Sequence, residues 1–258
     1  MILQESTLRA LTDCPLDFSE CVDSTNNRLK RLAAAGAPDG TVAIARRQSA
    51  GRGRMGRRFD SETGGLYLSL LLRPREKAGL LCLTAAAAAA VRRAIFEVCG
   101  LQTDIKWRND LLLGGKKLCG ILTELSFSGA LPEYAVLGVG INCNQPTFSE
   151  PLREIAVSLR QVLGAPVEEN ALAAAVIRHL THMAAELPNG CKPWMDEYAA
   201  ACVTVGQRVR ILGGDGRIAL AEGVDENGGL CLRYENGETA VLGTGEVSVR
   251  SVETEETL

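Results

Sequence analysis

The period of hydrophobic and polar positions changes several times along the chain, and each change marks an element. Asp23-Ser24-Thr25 offers capping oxygens ahead of Leu29, Leu32 and Ala33, and Gly36 supplies a stop, so residues 24–35 read as a short helix. Alternation from Thr41 to Gln48 predicts a strand and the apolar run Leu66 to Leu72 another, joined by a Gly- and Arg-rich loop over residues 49–65. Ala78 to Val98, dense in alanine and leucine, reads as one long packed helix with Gly100 as its stop. Asp104 to Trp107 and Leu111 to Leu113 read as strands. The Gly114-Gly115 turn then leads into a returning strand, Leu118 to Leu125, and Tyr134 to Ile141 forms a further one.

From Pro151 to Cys202 the pattern is helical, with Leu172, Val176, Leu180 and Met183 on one face. Beyond Val203 short β-prone runs (Arg208 to Leu212, Ile218 to Val224, Leu230 to Tyr234, Thr239 to Leu242, Val247 to Arg250) alternate with turns such as Gly213-Gly214-Asp215-Gly216 and Asn227-Gly228-Gly229. The expected class is therefore α+β: a mixed, largely antiparallel sheet with packed helices over residues 1–202, and a small β-barrel over residues 203–258.

Composition narrows the picture. A chain of 258 residues with 46% hydrophobic and 23% charged positions builds a real core, which excludes disordered, collagenous and coiled-coil classes. The net charge of -3 hides Arg46, Arg47, Arg52, Arg54, Arg57 and Arg58 within thirteen residues, while Glu253 to Glu256 is acidic. A slightly acidic chain lacks long-range attraction for nucleic acid or anionic membrane, so an anion must be bound locally. Nine cysteines without a C-x-x-C pair argue against a disulfide framework. MILQESTLRA has no basic segment followed by an apolar run, and the apolar stretch around Ala85 to Val91 is too short to span a bilayer, so a cytoplasmic protein without a membrane partner is expected.

The chemistry concentrates in three clusters. Gly51-Arg52-Gly53-Arg54-Met55-Gly56-Arg57 places three glycines and three arginines in seven residues, combining close backbone approach with fixed positive charge, as a phosphate or carboxylate ligand requires. It is neither a Walker loop nor a Rossmann fingerprint, and alone it also reads as a flexible RGG-like segment. Lys106-Trp107-Arg108-Asn109-Asp110 precedes Lys116-Lys117-Leu118-Cys119-Gly120-Ile121-Leu122, and alone reads as a strand end with a turn. Gly138-Val139-Gly140-Ile141-Asn142 puts two glycines in a strand, a sign of close approach by backbone or ligand.

Taken in order, Ser24-Thr25-Asn26, Gln48 with GRGRMGR, KWRND, KKLCGIL and GVGIN resemble the motif series of biotin protein ligases over roughly residues 18–251. The resemblance implies a class II synthetase-like domain followed by an SH3-like barrel. It implies ATP-dependent conversion of biotin to biotinyl-5'-AMP and transfer to a lysine of the biotin carboxyl carrier protein of acetyl-CoA carboxylase. Ser24, Thr25, Gln48 and Arg52 would then hydrogen-bond the ureido ring and position the valerate chain, Asn26, Gly51, Gly53, Arg54 and Lys117 would join them in the biotin site, and Gly120 and Leu122 would line the bicycle pocket. Arg54, Arg57 and Lys117 would meet the phosphates and the activated carboxylate, beside Phe59, Lys106, Asn109 and Asn142 on the nucleotide. Arg54, Lys117 and Asp110 form the implied catalytic set, with Asp110 organising metal or acceptor. Mg²⁺ arrives with ATP, and no dedicated protein metal site is expected. Homodimers are known in the family, and an exposed sheet edge suits one.

Two positions depart from that pattern. Arg108 stands where proline is usual, which loosens the turn and adds a cation, and Phe59 stands where a tryptophan often follows the loop. His179 and His182, three apart on a helix, read as surface histidines, and Cys119 as a packed small hydrophobe. Seventeen residues precede Phe18, too few for a helix-turn-helix whose helices need about 8 residues each, so no operator binding is expected. Two rivals stand beside this reading. A lipoate or octanoate ligase of the same fold would not need ureido partners. An RNA-binding module would explain the arginines but not KWRND or GVGIN, and aromatics for stacking make up only 4% of the chain.

Overall fold

The computed structural model describes residues 2–74, 77, 79–129, 131–212, 216–243 and 248–252. Ala78, the turn residues Gly213 to Asp215, Val247 and the acidic run Glu253 to Glu256 lie outside the described residues. In chain order come α1 (Glu5–Leu11), β1 (Leu16–Val22), α2 (Thr25–Ala34), β2 (Val42–Gln48), β3 (Leu66–Leu72), α3 (Leu83–Cys99), β4 (Asp104–Lys106), β5 (Asp110–Leu113), β6 (Lys116–Ser128) and β7 (Leu131–Ile141). After β7 follow α4 (Leu159–Leu163), α5 (Glu169–Glu186), α6 (Lys192–Ala201), β8 (Arg208–Leu212), β9 (Ile218–Val224), β10 (Leu230–Tyr234), β11 (Thr239–Leu242) and β12 (Ser248–Ser251).

The large sheet runs β1-β2-β3-β7-β6-β5-β4, parallel only between β1 and β2, which is the mixed, largely antiparallel sheet the sequence predicts. Helices cover both faces. On one, Leu29 and Ala33 of α2 pack with Ala43, Leu71 and Val136. On the other, α3 and α5 close the main core, and α6 packs against α3. Ala85 to Ala90 of α3 are all at most 2% exposed, and with Ala173 and Ala175 of α5 they let two helices and a sheet approach closely. Leu172, Val176, Leu180 and Met183 are each fully buried, as their spacing on α5 predicts.

Two expectations need correction. The long helix starts at Leu83 because Gly79 has φ 76°, a left-handed backbone that breaks the helix before it can begin at residue 78. Cys82 and Cys191, the N-cap residues of α3 and α6, form a disulfide across 109 residues; cysteine count and spacing carry no sign of which helix ends the fold brings together. The C-terminal strands form the expected small β domain, a five-stranded antiparallel sheet ordered β11-β10-β9-β8-β12. In addition, α1 and β1 lie in a stretch where the sequence pattern assigned nothing. They are secured by the Leu3 N–H donating to Glu169 Oε2 at 2.9 Å and the Gln4 N–H donating to Asn170 Oδ1 at 2.7 Å.

The small sheet docks on the strand end that carries KWRND. The Trp107 N–H donates to Thr204 Oγ1 at 2.9 Å, and its indole Nε1 donates to Gly228 O at 3.0 Å. Among the described residues no helix is long and apolar enough to cross a membrane.

Candidate active site

A cavity of about 250 Å³ opens on one face of the large sheet. Its floor is β6 and β7, where Gly120 pairs with Gly140 and Leu122 with Gly138. These glycines make room for side chains laid flat on the sheet. A Cβ on Gly138 would stand 2.1 Å from Asn26 Oδ1, and one on Gly140 2.8 Å from the Phe59 ring. Close approach, read from two glycines in a strand, is met here by the protein's own Asn26 and Phe59.

The walls come from distant segments. Ser24, Thr25 and Asn26 enter at the start of α2; Ser24 is its N-cap, is 2% exposed, and its hydroxyl makes no capping bond. Gln48, at the end of β2, accepts from the Thr25 N–H at 2.8 Å and Thr25 Oγ1 at 3.2 Å, and donates through Nε2 to Ser61 Oγ at 2.9 Å. Ser69 Oγ lies 2.8 Å from Thr25 Oγ1 and 2.6 Å from Asn26 Oδ1. One wall is thus a fixed row of amides and hydroxyls.

The GRGRMGR segment folds as an ordered hairpin. Gly53 N–H donates to Arg57 O at 2.7 Å and Phe59 N–H to Gly51 O at 3.0 Å, with Arg52 bridged to Arg58. The turn at its tip holds Met55 at φ 56° and Gly56 at φ 69°. Arg54 Nη1 donates to Asn109 Oδ1 at 3.2 Å, and Asn109 Nδ2 donates to Ile121 O at 2.8 Å, so the tip is tied to the KWRND turn and through it to β6. Burial pushes the Arg54 guanidinium below its ordinary pKa, opposed by the Asp110 charge and reinforced by Arg57. Lys117 Nζ stands 2.7 Å from Asp110 Oδ1, an ion pair off hydrogen-bond angle, and 5.6 Å from the centre of the Phe59 ring.

Arg108 does not loosen its turn. It follows a cis Trp107–Arg108 bond and is 9% exposed; Nη1 donates to Gly243 O at 3.1 Å, and its carbonyl accepts the Tyr198 hydroxyl at 3.0 Å. Burial, and then the like charge of Arg54, lower its pKa.

Of the residues singled out from sequence, Ser24, Thr25, Asn26, Gln48, Arg52, Gly53, Arg54, Arg57, Phe59, Lys106, Asn109, Asp110, Lys117, Gly120 and Leu122 line this one cavity. Gly51 and Asn142 do not. Gly51 packs inside the hairpin, where a Cβ would meet Ser61 Oγ at 2.3 Å. Asn142 is 5% exposed behind β6, its Nδ2 donating to Lys117 O at 3.2 Å. Sequence reasoning missed Leu212, Val249 and Arg250, which the small sheet contributes to the cavity and which carry no local motif. Cys119 is fully buried with its thiol pushed up by desolvation, in keeping with packing. His179 Nε2 lies 2.8 Å from Glu97 Oε2 and His182 Nε2 3.3 Å from Glu186 Oε1. Among the described residues no group of three or more His, Cys, Asp and Glu is arranged to hold a metal.

Charge decides what the cavity takes. Among the described residues, Arg52, Arg54, Arg57, Arg58, Lys106, Lys117 and Arg250 line it against one carboxylate, Asp110, so it is built for an anion of high charge beside an apolar, amide-edged floor.

Comparison with known proteins agrees. Residues 18–142 match the Biotin/lipoate A/B protein ligase family, and residues 204–250 match the Biotin protein ligase C terminal domain. The chain is 37% identical over 237 residues to the bifunctional ligase/repressor BirA of Bacillus subtilis, covering 86% of this chain and 70% of that protein. It is 35% identical over 241 residues to the biotin–[acetyl-CoA-carboxylase] ligase of Mycobacterium tuberculosis, covering 90% and 88%. The biotin protein ligase from Aquifex aeolicus in complex with biotin and ATP superposes with a TM-score of 0.82 at 30% identity, over 92% of this chain and 99% of that one. The chain belongs to the biotin protein ligase family.

Proposed function

We propose that the chain activates biotin with ATP to biotinyl-5'-AMP and transfers biotin to a lysine of a biotin carboxyl carrier protein, that of acetyl-CoA carboxylase. The observation that carries this reading is the seven-to-one excess of cations over carboxylates in a cavity whose other side is a row of amides and hydroxyls on a glycine floor. Gln48, Ser24 and Thr25 suit the ureido ring, and the strip from Gly120 to Leu122 suits the bicycle and valerate chain.

The first step joins two anions: a carboxylate oxygen attacks the α-phosphorus and pyrophosphate leaves. Arg54 and Lys117 offset the charge that grows on the phosphate, and donors held before reaction act most strongly in a water-poor site. The hairpin over the cavity keeps water from the mixed anhydride. In the second step the carrier amine attacks the acyl carbon and AMP leaves. A free lysine has a pKa of about 10.4, so reaching the neutral amine at pH 7 costs about 4.6 kcal/mol, which the cationic surroundings reduce and Asp110 relieves by accepting the proton. Asp110 is the only carboxylate among the described residues that line the cavity, which fits Mg²⁺ carried by the nucleotide rather than by a protein cage. When bound, Mg²⁺ would add charge neutralisation at the phosphates.

Residues 1–202 then form the catalytic part, and residues 203–258 a second domain that completes the nucleotide side through Leu212, Val249 and Arg250. A need for ATP and a carboxylase carrier fits a cytoplasmic enzyme. Biotin-dependent exchange of labelled pyrophosphate into ATP tests the proposal. Exchange with biotin and not with lipoate is expected, and exchange with lipoate alone overturns it.

A further inference from the structure

We infer that Glu124 is a positioning residue, whose carboxylate holds Arg52, and with it the hairpin of residues 51–58, against the cavity and so sets how long the activated acid stays bound. The inference rests on the ligase reading above and goes beyond it, because neither the motif series nor the cavity lining includes Glu124.

Alternation along β6 puts Gly120, Leu122 and Glu124 on the same face, so Glu124 sits where the cavity floor ends. Its side chain is 18% exposed and gathers donors from two other segments. Oε1 accepts from Lys30 Nζ at 2.5 Å and from Arg52 Nη2 at 2.9 Å, and Oε2 accepts from Asn26 Nδ2 at 2.9 Å. Arg52 completes the clasp through Nη1, which donates to Asn27 Oδ1 at 2.7 Å. One carboxylate thus binds α2, β6 and the hairpin together, at the hairpin's base. The Arg54 contact to Asn109 does the same at its tip.

The geometry requires an anion rather than a neutral acceptor. Glu124 faces three donors, two of them cationic, with two oxygens; an amide there turns one acceptor into a donor pointed at a donor. Asn26 also lies against the Gly138 backbone, so a shift in its amide is felt in the cavity floor. Opening this clasp frees the base of the hairpin without removing any group that lines the cavity, which is why it should alter retention more than the chemical step.

The test uses the full chain loaded with labelled biotin and ATP, chased with excess unlabelled biotin, in wild type, Glu124→Gln, Arg52→Gln and the double variant. Each single variant is expected to release the labelled adenylate about tenfold faster, the size of one charged hydrogen bond. The double variant should fall short of the product of the two single effects, because both substitutions break the Glu124–Arg52 contact. Release within about twofold of wild type, or single effects that multiply in the double variant, overturns the latch. Should Glu124→Gln fail to unfold cooperatively, Glu124→Asp, which keeps the charge and shortens its reach, replaces it with the same expected acceleration. A wild-type chain that forms no biotinyl adenylate overturns the ligase reading and the latch with it.

Discussion

Lys117 Nζ stands 2.7 Å from Asp110 Oδ1, although the two residues belong to different strands, β6 and β5, joined by the Gly114-Gly115 turn. The pair sits in the cavity under the Phe59 ring, so the ammonium is held in place before any ligand arrives. A preplaced charge acts where phosphate charge develops. Lys117→Ala is expected to lower biotin-dependent pyrophosphate exchange by roughly a hundredfold or more. The dissociation constant for biotin alone should change by less than about tenfold, as calorimetry can check.

Arg54 reaches Asn109 from the hairpin tip at 3.2 Å and is half-buried there. Arg54→Gly removes both the tie and a cation over the activated acid. The variant should leak its intermediate and label lysines of an unrelated protein such as serum albumin, detected by blotting for biotin. A purified variant that labels only the carrier contradicts this account of the hairpin.

The two floor glycines differ in what a methyl group would meet. At Gly138 the neighbour is Asn26, anchored to Leu122 O, Glu124 and Ser69, so Gly138→Ala should lower stability by about 1–3 kcal/mol in urea unfolding. At Gly140 the neighbour is the Phe59 ring, which can swing away. Gly140→Ala should leave stability nearer wild type and weaken biotin binding instead.

Acid should expose the charge on Glu124. Burial raises its pKa, yet hydrogen bonds from Lys30 and Asn26 and the charges of Lys30 and Arg52 outweigh burial and hold it below the ordinary 4.5. A carboxylate with a depressed folded value stabilises the fold fully above its unfolded value and loses that contribution as pH falls through the folded one. The urea midpoint of wild type should therefore exceed that of Glu124→Gln at about pH 6, and the gap should narrow progressively as the pH falls below 4.5. A gap that does not narrow as the pH falls below 4.5 contradicts the assignment.

Periodicity and turn chemistry made much of the framework legible. Leu172, Val176, Leu180 and Met183 announced the buried face of α5, and Gly114-Gly115 the hairpin that sets Asp110 beside Lys117. The cavity's near wall was legible because its residues fall in compact motifs. What stayed hidden depends on distance in the chain. Nothing local marks Arg250 or Leu212 as lining the same cavity as Arg54, and nothing near Cys82 points to Cys191. Arg108 read as a weakness because its partners, Tyr198 and Gly243, arrive from α6 and the small sheet. Gly51 and Asn142 belong to the same motifs yet stand outside the cavity lining, because motif membership does not say which face of a segment the fold will bury.

The account stands on a single anion site assembled from the hairpin, the KWRND turn and β6. A crystal structure of the chain with biotin and ATP measures it most directly. The expected result has the triphosphate, or the phosphate of the adenylate, within hydrogen-bond reach of Arg54 and Lys117, with the ureido ring at Gln48 and Ser24. Nucleotide bound outside this cavity, or biotin with its ring turned toward Lys117, would contradict it.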